Sequence, residues 1–402
     1  VAVTAHAYEG YVLPEPLRML KQTVREYIQN EIVPLERELD PDAIELPPEP
    51  FQRLSRKVKA MGLWCPGVPQ EYGGAGLNCF WETVIHEEMV QHRAGLYLPA
   101  YHTFGHPPPS VAWEYGTPEQ IEEFVKPTVE GRRRSFFAIT EPSGGSDPAR
   151  AIRTTARRDG DDWVLNGTKV FISGALQADW GLVFARTDPQ SRRGISCFIV
   201  EKGMPGFSWQ PIPVIRPYYP AQLFFQDVRV PHRYLLGEVH KGWDILATRL
   251  LARGRIPYSA ANLGVAVAAQ GMAVEYAQKR ETFGAPLATR QAIQWMLVDS
   301  EMEIRACRWL VWEAAWKYDS GEDFRMEAAM AKVFSSEVLM RVVDRAVQVH
   351  GGYGVSKWLP LERWYREARI RRIGEGPSEV MRMLIARYLF RGGQGASPAP
   401  PP

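Results

Sequence analysis

Three short stretches carry residue types that do chemistry. The first is "IGEGPSEV", residues 373–380, where one carboxylate, Glu375, stands between two glycines just after the arginine-rich run "RIRR" of 369–372. Glycines let the backbone pass close to a ligand and arginines bias the local charge, so Glu375 reads as a working base or as a turn residue. The second stretch, "FFAITEPSGGSDPA" at 136–149, sets the hydroxyls of Thr140, Ser143 and Ser146 around a Gly-Gly turn that offers backbone N–H groups to an acceptor. Taken alone it is a polar loop. The third, "KRETFGAPLATRQAIQ" at 279–294, places Arg280 and Thr282 just ahead of a helix, and phosphate contact and helix capping explain that composition almost equally.

Other chemistries lack their patterns. No G-x-G-x-x-G follows a strand, since "GGAG" at 73–76 and "GGYG" at 351–354 lack the third glycine, and neither Walker A nor G-x-S-x-G occurs. The eight histidines are scattered without acidic or cysteine partners, which argues against a metal site. The run "GRRR" at 131–134 reads as a solvated face or a set of salt-bridge partners. A net charge of +2 with 23% charged residues carries no basic excess for nucleic acid, and no window approaches a membrane span. Cys65, Cys79, Cys197 and Cys307 lie far apart, the N-terminal residues lack the pattern of a secretory signal, and a cytoplasmic location is expected.

The elements that must position these stretches change texture twice. Leu17, Leu20, Val24, Tyr27 and Ile28 recur at helical spacing, and Thr117, Pro118 and Gln120 form a capping-box start. From about residue 135 to 240, β-branched and aromatic runs alternate with Asp159-Gly160 and Asn166-Gly167, the dipeptides of tight hairpin turns. Helical periodicity then returns, with Ile293, Leu297, Ile304, Cys307, Val311 and Tyr318 on one stripe closed by Gly321, and a second run closed by Gly351 and Gly352. The expected organisation is α+β and multidomain: a helical N-terminal domain (1–134), a middle β domain (135–240), a C-terminal helical bundle (241–391) and a disordered Gly/Pro-rich tail (392–402).

In this order, "PQEYGGAGL", "TEPSGGSD", "NGTKVFISG", "FQDVRVP", "KRETFGAPL", "AVQVHGGYG" and "IGEGPSEV" closely resemble the motifs of the acyl-CoA dehydrogenase family of flavoproteins, over most of the chain. The resemblance implies a β-barrel-like middle domain, a C-terminal four-helix bundle, and FAD bound at the domain junction and across a subunit interface of a homotetramer or dimer. It implies that Phe137, Ile139 and Thr140 lie along the isoalloxazine and that Phe171 and Ser173 cover it. Arg280, Thr282, Phe283 and Gln291, with Gln348, Val349, Gly351 and Gly352, are expected to hold the adenine dinucleotide of a neighbouring subunit, and Ser146 the CoA chain.

Glu375 matches the glutamate that removes the substrate's α-proton while a hydride leaves the β-carbon for the flavin. Its backbone N–H matches a donor to the thioester oxygen, which accounts for the flanking glycines, Gly376 among them. Some relatives carry the base at the position of Gly254, so here Glu375 is the candidate, with Arg255 expected beside it or acting as an ordinary buried ion pair. The resemblance further implies an acyl-CoA substrate and an electron-transfer flavoprotein as acceptor. A flavin oxidase or monooxygenase acting on a non-CoA substrate, and a non-catalytic flavin-binding scaffold, are the alternatives.

The chain departs from the family's common pattern at four places. Gly374 stands where an aromatic residue is usual and Pro377 where a threonine is usual, so a flavin contact passes to Ser378 or Glu379 if it is replaced. Ala252 replaces an aspartate that helps hold CoA, and "VIRPYYPAQLFF" puts Tyr218 and Tyr219 into a segment that is usually small and polar.

Overall fold

The computed structural model describes residues 12–391; the disordered tail expected at 392–402 and the first eleven residues lie outside the described residues. The chain divides into two units. Unit one comprises, of the described residues, 12–54, 78–103 and 252–391, and unit two comprises 55–77 and 104–251. N-terminal helices, a middle β-sheet and a C-terminal helical bundle follow one another along the chain.

In unit one, α1 (Glu15–Tyr27) runs through a π turn into Val33–Glu36, and its periodic Leu17, Val24, Tyr27 and Ile28 are all buried. α2 (Pro48–Ala60) crosses the boundary between the units, and α3 (Cys79–Met89) starts on Asn78, whose side chain accepts from the Trp81 N–H. The bundle consists of α4 (Leu251–Lys279), α5 (Gln291–Asp319), α6 (Arg325–His350), α7 (Leu361–Arg371) and α8 (Ser378–Arg391). Ile304, Cys307 and Val311 of the expected α5 stripe are buried, and Gly321 turns the chain beyond α5 with φ 71°.

One polar contact ties α1, α3 and α5 inside this apolar packing. Arg308 Nη2 lies 2.7 Å from Glu87 Oε1, and both side chains are buried; Lys21 Nζ lies 4.0 Å from the same oxygen. Burial alone would raise the Glu87 pKa, but the Arg308 and Lys21 cations hold it below the usual carboxylate range. Removing one partner strands a buried charge, so Arg308→Met is expected to destabilise the protein by about 3–5 kcal/mol, read as a fall in its denaturation midpoint.

Unit two is built on an eight-stranded sheet: β1 (Ser135–Ala138), β2 (Thr155–Asp159), β3 (Asp162–Ile172), β4 (Trp180–Arg186), β5 (Ile195–Glu201), β6 (Phe207–Pro211), β7 (Ala221–Pro231) and β8 (Leu235–Leu236). The order is β6-β7-β3-β2-β4-β5-β8, with β1 added parallel to β4. Trp180, Phe184 and Phe198 are fully buried in its core. The capping box of Thr117 and Gln120 forms as expected.

The two turn dipeptides differ in outcome. Asp159-Gly160 opens the β2–β3 hairpin, with Asp159 facing Asp162 and Gly160 at φ 61°. Asn166-Gly167 lies inside β3 at a register shift against β7. The Asn166 amide exchanges two 2.9 Å hydrogen bonds with Asp227, and a Cβ at Gly167 would meet Thr154 Oγ1 at 2.4 Å. The glycine there serves close packing within a bulge rather than a chain reversal. No helix among the described residues is long and apolar enough to cross a membrane.

Candidate active site

Glu375 sits in the turn between α7 and α8. Gly374 N–H donates to Ile370 O (3.1 Å) and Ser378 N–H to Arg372 O (3.1 Å), which closes the turn around it. The turn needs a left-handed backbone at two successive residues, Glu375 (φ 55°) and Gly376 (φ 93°). A non-glycine residue in this region costs on the order of 1 kcal/mol, so the glutamate is held there by its surroundings. Among the described residues none accepts a hydrogen bond from the Glu375 N–H, which leaves a donor beside the carboxylate.

The surroundings of Glu375 are cationic. Arg255, buried on α4, donates from Nε to the Glu375 carbonyl at 3.4 Å. Burial pushes the Glu375 pKa above the usual carboxylate range, while Arg255, Arg371 and Lys332 pull it back. Burial also lowers the Arg255 pKa, and Glu375 opposes that shift. Part of Glu375's surface stays open to solvent although its carboxylate is closely ringed. A Cβ placed on Gly254 would lie 3.8 Å from Glu375 Oε2, so that glycine borders the carboxylate directly.

Arg371 supports the turn from α7. It donates to Asn262 Oδ1 (2.6 Å) and Tyr258 O (2.7 Å), and its guanidinium carbon lies 3.2 Å from the centre of the Tyr258 ring. Tyr258 in turn donates to Arg371 O at 3.1 Å, and a Cβ on Gly374 would meet the Tyr258 hydroxyl at 2.9 Å. The space beside Gly374 is therefore filled by a side chain from α4.

The expected cofactor residues fall into separate groups. In unit two, Phe137, Ile139 and Thr140 follow one another along β1 and its exit, with Ile139 O accepting from the buried Lys169 Nζ at 3.0 Å. Phe171 is 59% exposed with φ 59°, Ser173 accepts from Arg216 Nη2 at 2.8 Å, and Ser146 is exposed.

In unit one, Arg280, Thr282 and Phe283 lie on a hairpin of β9 (Glu281–Thr282) and β10 (Ala285–Pro286), close in sequence to Gln291 at the start of α5. Gln348 and Val349 end α6, with Gly351 and Gly352 just beyond; Gln348 and both glycines are exposed and Val349 is buried. This group stands apart from Arg255, Glu375 and Gly376: Gln348 lies sixteen residues beyond Lys332, roughly 24 Å along α6. Ser378 is buried against Glu337, and Glu379 is exposed.

Phe171 and Phe283 test the fit of a flavin dinucleotide. Phe283 is 98% exposed at φ 50°, so both aromatics hold a costly backbone conformation while leaving apolar rings uncovered. That combination suits rings covered by a bound planar group or its neighbour. The residues fit.

Sequence reasoning passed over Tyr258, Arg216 and Lys332. Lys332 had a signal: it falls on the stripe of Ala328, Ser335, Leu339, Val342 and Ala346, all buried, so a lysine stood on an apolar helix face. Arg371 lies inside the "RIRR" run already singled out beside Glu375.

Comparison with known proteins fits this architecture. Models of the acyl-CoA dehydrogenase N-terminal, middle and C-terminal domains match residues 14–132, 136–228 and 240–390. The short-chain specific acyl-CoA dehydrogenase, mitochondrial, of Rattus norvegicus is 37% identical over 390 residues, 96% of this chain and 92% of its own. The 3-(aryl)acrylate reductase of Clostridium sporogenes is 38% identical over 383 residues, 94% of this chain and 99% of its own. Among solved structures, butyryl-CoA dehydrogenase from Megasphaera elsdenii matches with a TM-score of 0.83 at 34% identity, over 94% of this chain and 99% of that one.

The cytoplasmic expectation is corrected by these relatives, since the rat, mouse, cattle and human proteins are named as mitochondrial. That expectation rests on the scattered cysteines and the N-terminal residues, and four buried free thiols name no compartment. With three domain models matched in order and more than a third of residues shared across nearly the whole chain, this protein belongs to the acyl-CoA dehydrogenase family of flavoproteins.

Proposed function

We propose that this chain is an FAD-dependent acyl-CoA dehydrogenase that converts an acyl-CoA thioester to the 2-enoyl-CoA, with Glu375 as the base. The observation that carries the reading is the Glu375 turn: a carboxylate in a left-handed backbone between two glycines, with an unused N–H beside it and Arg255 at its carbonyl. Bound FAD supplies the acceptor for the hydride that leaves the β-carbon. Glu375 takes the α-proton, and its N–H is placed to hold the charge that gathers on the thioester oxygen. Burial raises the carboxylate's basicity while the neighbouring cations favour its ionised form.

Phe137, Ile139, Thr140, Phe171 and Ser173 are assigned to the flavin and Ser146 to the CoA chain, with Ser378 and Glu379 in place of the family's threonine. Arg255 and Gly376 border the reacting carbons. Arg280, Thr282, Phe283, Gln291, Gln348, Val349, Gly351 and Gly352 are assigned to the adenine dinucleotide of a neighbouring copy, and their distance along α6 from the base supports that division. A surface for such a copy is available on α5, where Trp295, Met302, Trp309 and Trp316 recur every seven residues and are all exposed. The domain boundaries at 134/135 and 240/241 belong to the same reading. So do a homotetramer or dimer and an electron-transfer flavoprotein as acceptor.

Several relatives are named as short-chain specific, which makes short acyl groups the first to try. The test is an anaerobic titration of the FAD-loaded protein with butanoyl-CoA and longer, branched and aryl thioesters, following flavin absorbance. Bleaching by one class supports the reading and names the substrate. Flavin that no thioester bleaches overturns it.

A further inference from the structure

Lys332 lies on α6 with no exposed surface. An ammonium removed from water needs acceptors. Lys332 Nζ donates to Gly376 O at 2.5 Å and to Arg372 O at 3.4 Å, the carbonyls on either side of the turn that carries Glu375. The same Arg372 carbonyl accepts from Ser378 N–H, so the lysine and the backbone close the turn together. The Glu375 backbone therefore has a specific tether.

The groups facing Lys332 come from every neighbouring element. Arg371 of α7, Glu375 of the turn, Arg255 of α4 and Glu337 of α6 itself bear on its charge, and the Tyr258 ring of α4 lies 5.9 Å from Nζ. From α8, Arg382 lies 3.6 Å from Glu337. α5 packs on the opposite face of α6, where Arg341 pairs with Glu303. Burial first, and then the Arg371 cation, lower the Lys332 pKa to about 7.

We propose that Lys332 is a positioning residue for the base: its buried amine ties the carbonyls at both ends of the Glu375 turn and holds the carboxylate in place. This rests on the assignment of Glu375 as the base. The cation acts on Glu375 in two ways, by fixing its backbone and by lowering its pKa. A residue that only filled space would do neither.

The experiment compares FAD-loaded wild type and Lys332→Met in stopped-flow reduction by butanoyl-CoA, from about pH 6 to about pH 9. The limiting rate is expected to fall about tenfold or more through loss of alignment, with a smaller change in KM. The acidic limb of the rate profile moves to higher pH, by roughly half a unit or more, because one of three cations that lower the Glu375 pKa is gone. Lys332→Arg, which keeps the charge, returns that limb toward wild type. A folded, FAD-loaded Lys332→Met with unchanged rate and unchanged acidic limb overturns the proposal.

Should Lys332→Met not fold, amide hydrogen exchange of residues 372–378 in the wild-type holoenzyme decides. Charge-assisted bonds are the stronger ones, so protection corrected for intrinsic rates should drop as pH rises through about 7. Flat protection overturns the tether. Glu375→Gln run in parallel separates the two claims. If it still reduces its flavin, the base assignment fails; if it is dead while Lys332→Met is unaffected, only the tether fails.

Discussion

Glu375→Gln is expected to slow flavin reduction by an acyl-CoA thioester about 10²–10⁴-fold, the range that a positioned general base contributes. The substitution keeps the shape of the side chain and removes only its capacity to take a proton. The turn should persist, because Gly374 N–H to Ile370 O, Ser378 N–H to Arg372 O and Lys332 to Gly376 O are all made by other residues. FAD content and thioester binding therefore change little, and the loss appears in the limiting rate of a stopped-flow trace. A variant within about threefold of wild type would place the base elsewhere.

The wild-type profile carries a second sign. A base works ionised, and burial raises the Glu375 pKa above its usual range, so the rate declines as pH falls through that raised value. Removing any of the three cations moves the decline to higher pH. Removing a carboxylate elsewhere on the surface leaves it in place.

The turn at Glu375 was legible in the sequence because its signal is local: an acid between two glycines marks a backbone that leaves the helical conformation, and the structure has Glu375 and Gly376 at positive φ. The α5 stripe and the Thr117 capping box were legible for the same reason, since helical periodicity and caps are read within a few residues. Asn166-Gly167 shows where that stops. The dipeptide suits a hairpin, but its fate is set by Asp227, sixty-one residues on, which meets the Asn166 amide across β3 and β7. Tyr258 was invisible for a related reason. α4 is rich in alanine, glycine and valine and is buried along most of its length, so periodicity does not single out the one side chain that fills the space beside Gly374.

That space bears on what Gly374 means. From sequence, a glycine where the family's common members have an aromatic residue opens a wall of the pocket or is filled by a neighbour, and the structure shows the neighbour. Tyr258 cannot simply swing away. Its hydroxyl is bonded to Arg371 O, its ring lies under the Arg371 guanidinium, and Arg371 is held by Asn262 and by Tyr258's own carbonyl.

Gly374→Tyr is therefore expected to be strongly deleterious. Overpacking costs about 1–3 kcal/mol, and a displaced cation–π stack adds up to about 2 kcal/mol. Because Gly374 adjoins Glu375, the strain falls on the turn that positions the carboxylate, so kcat/KM should drop roughly 30-fold or more. Adding Tyr258→Ala to Gly374→Tyr makes room for the new ring, and the double variant should recover the overpacking part of that loss but not the cation–π part, while Tyr258→Ala alone admits bulkier acyl groups. A double-mutant cycle on kcat/KM measures the coupling between the two positions. Strict additivity, or a Gly374→Tyr enzyme as active as wild type, would mean that Tyr258 does not hold the space beside Glu375.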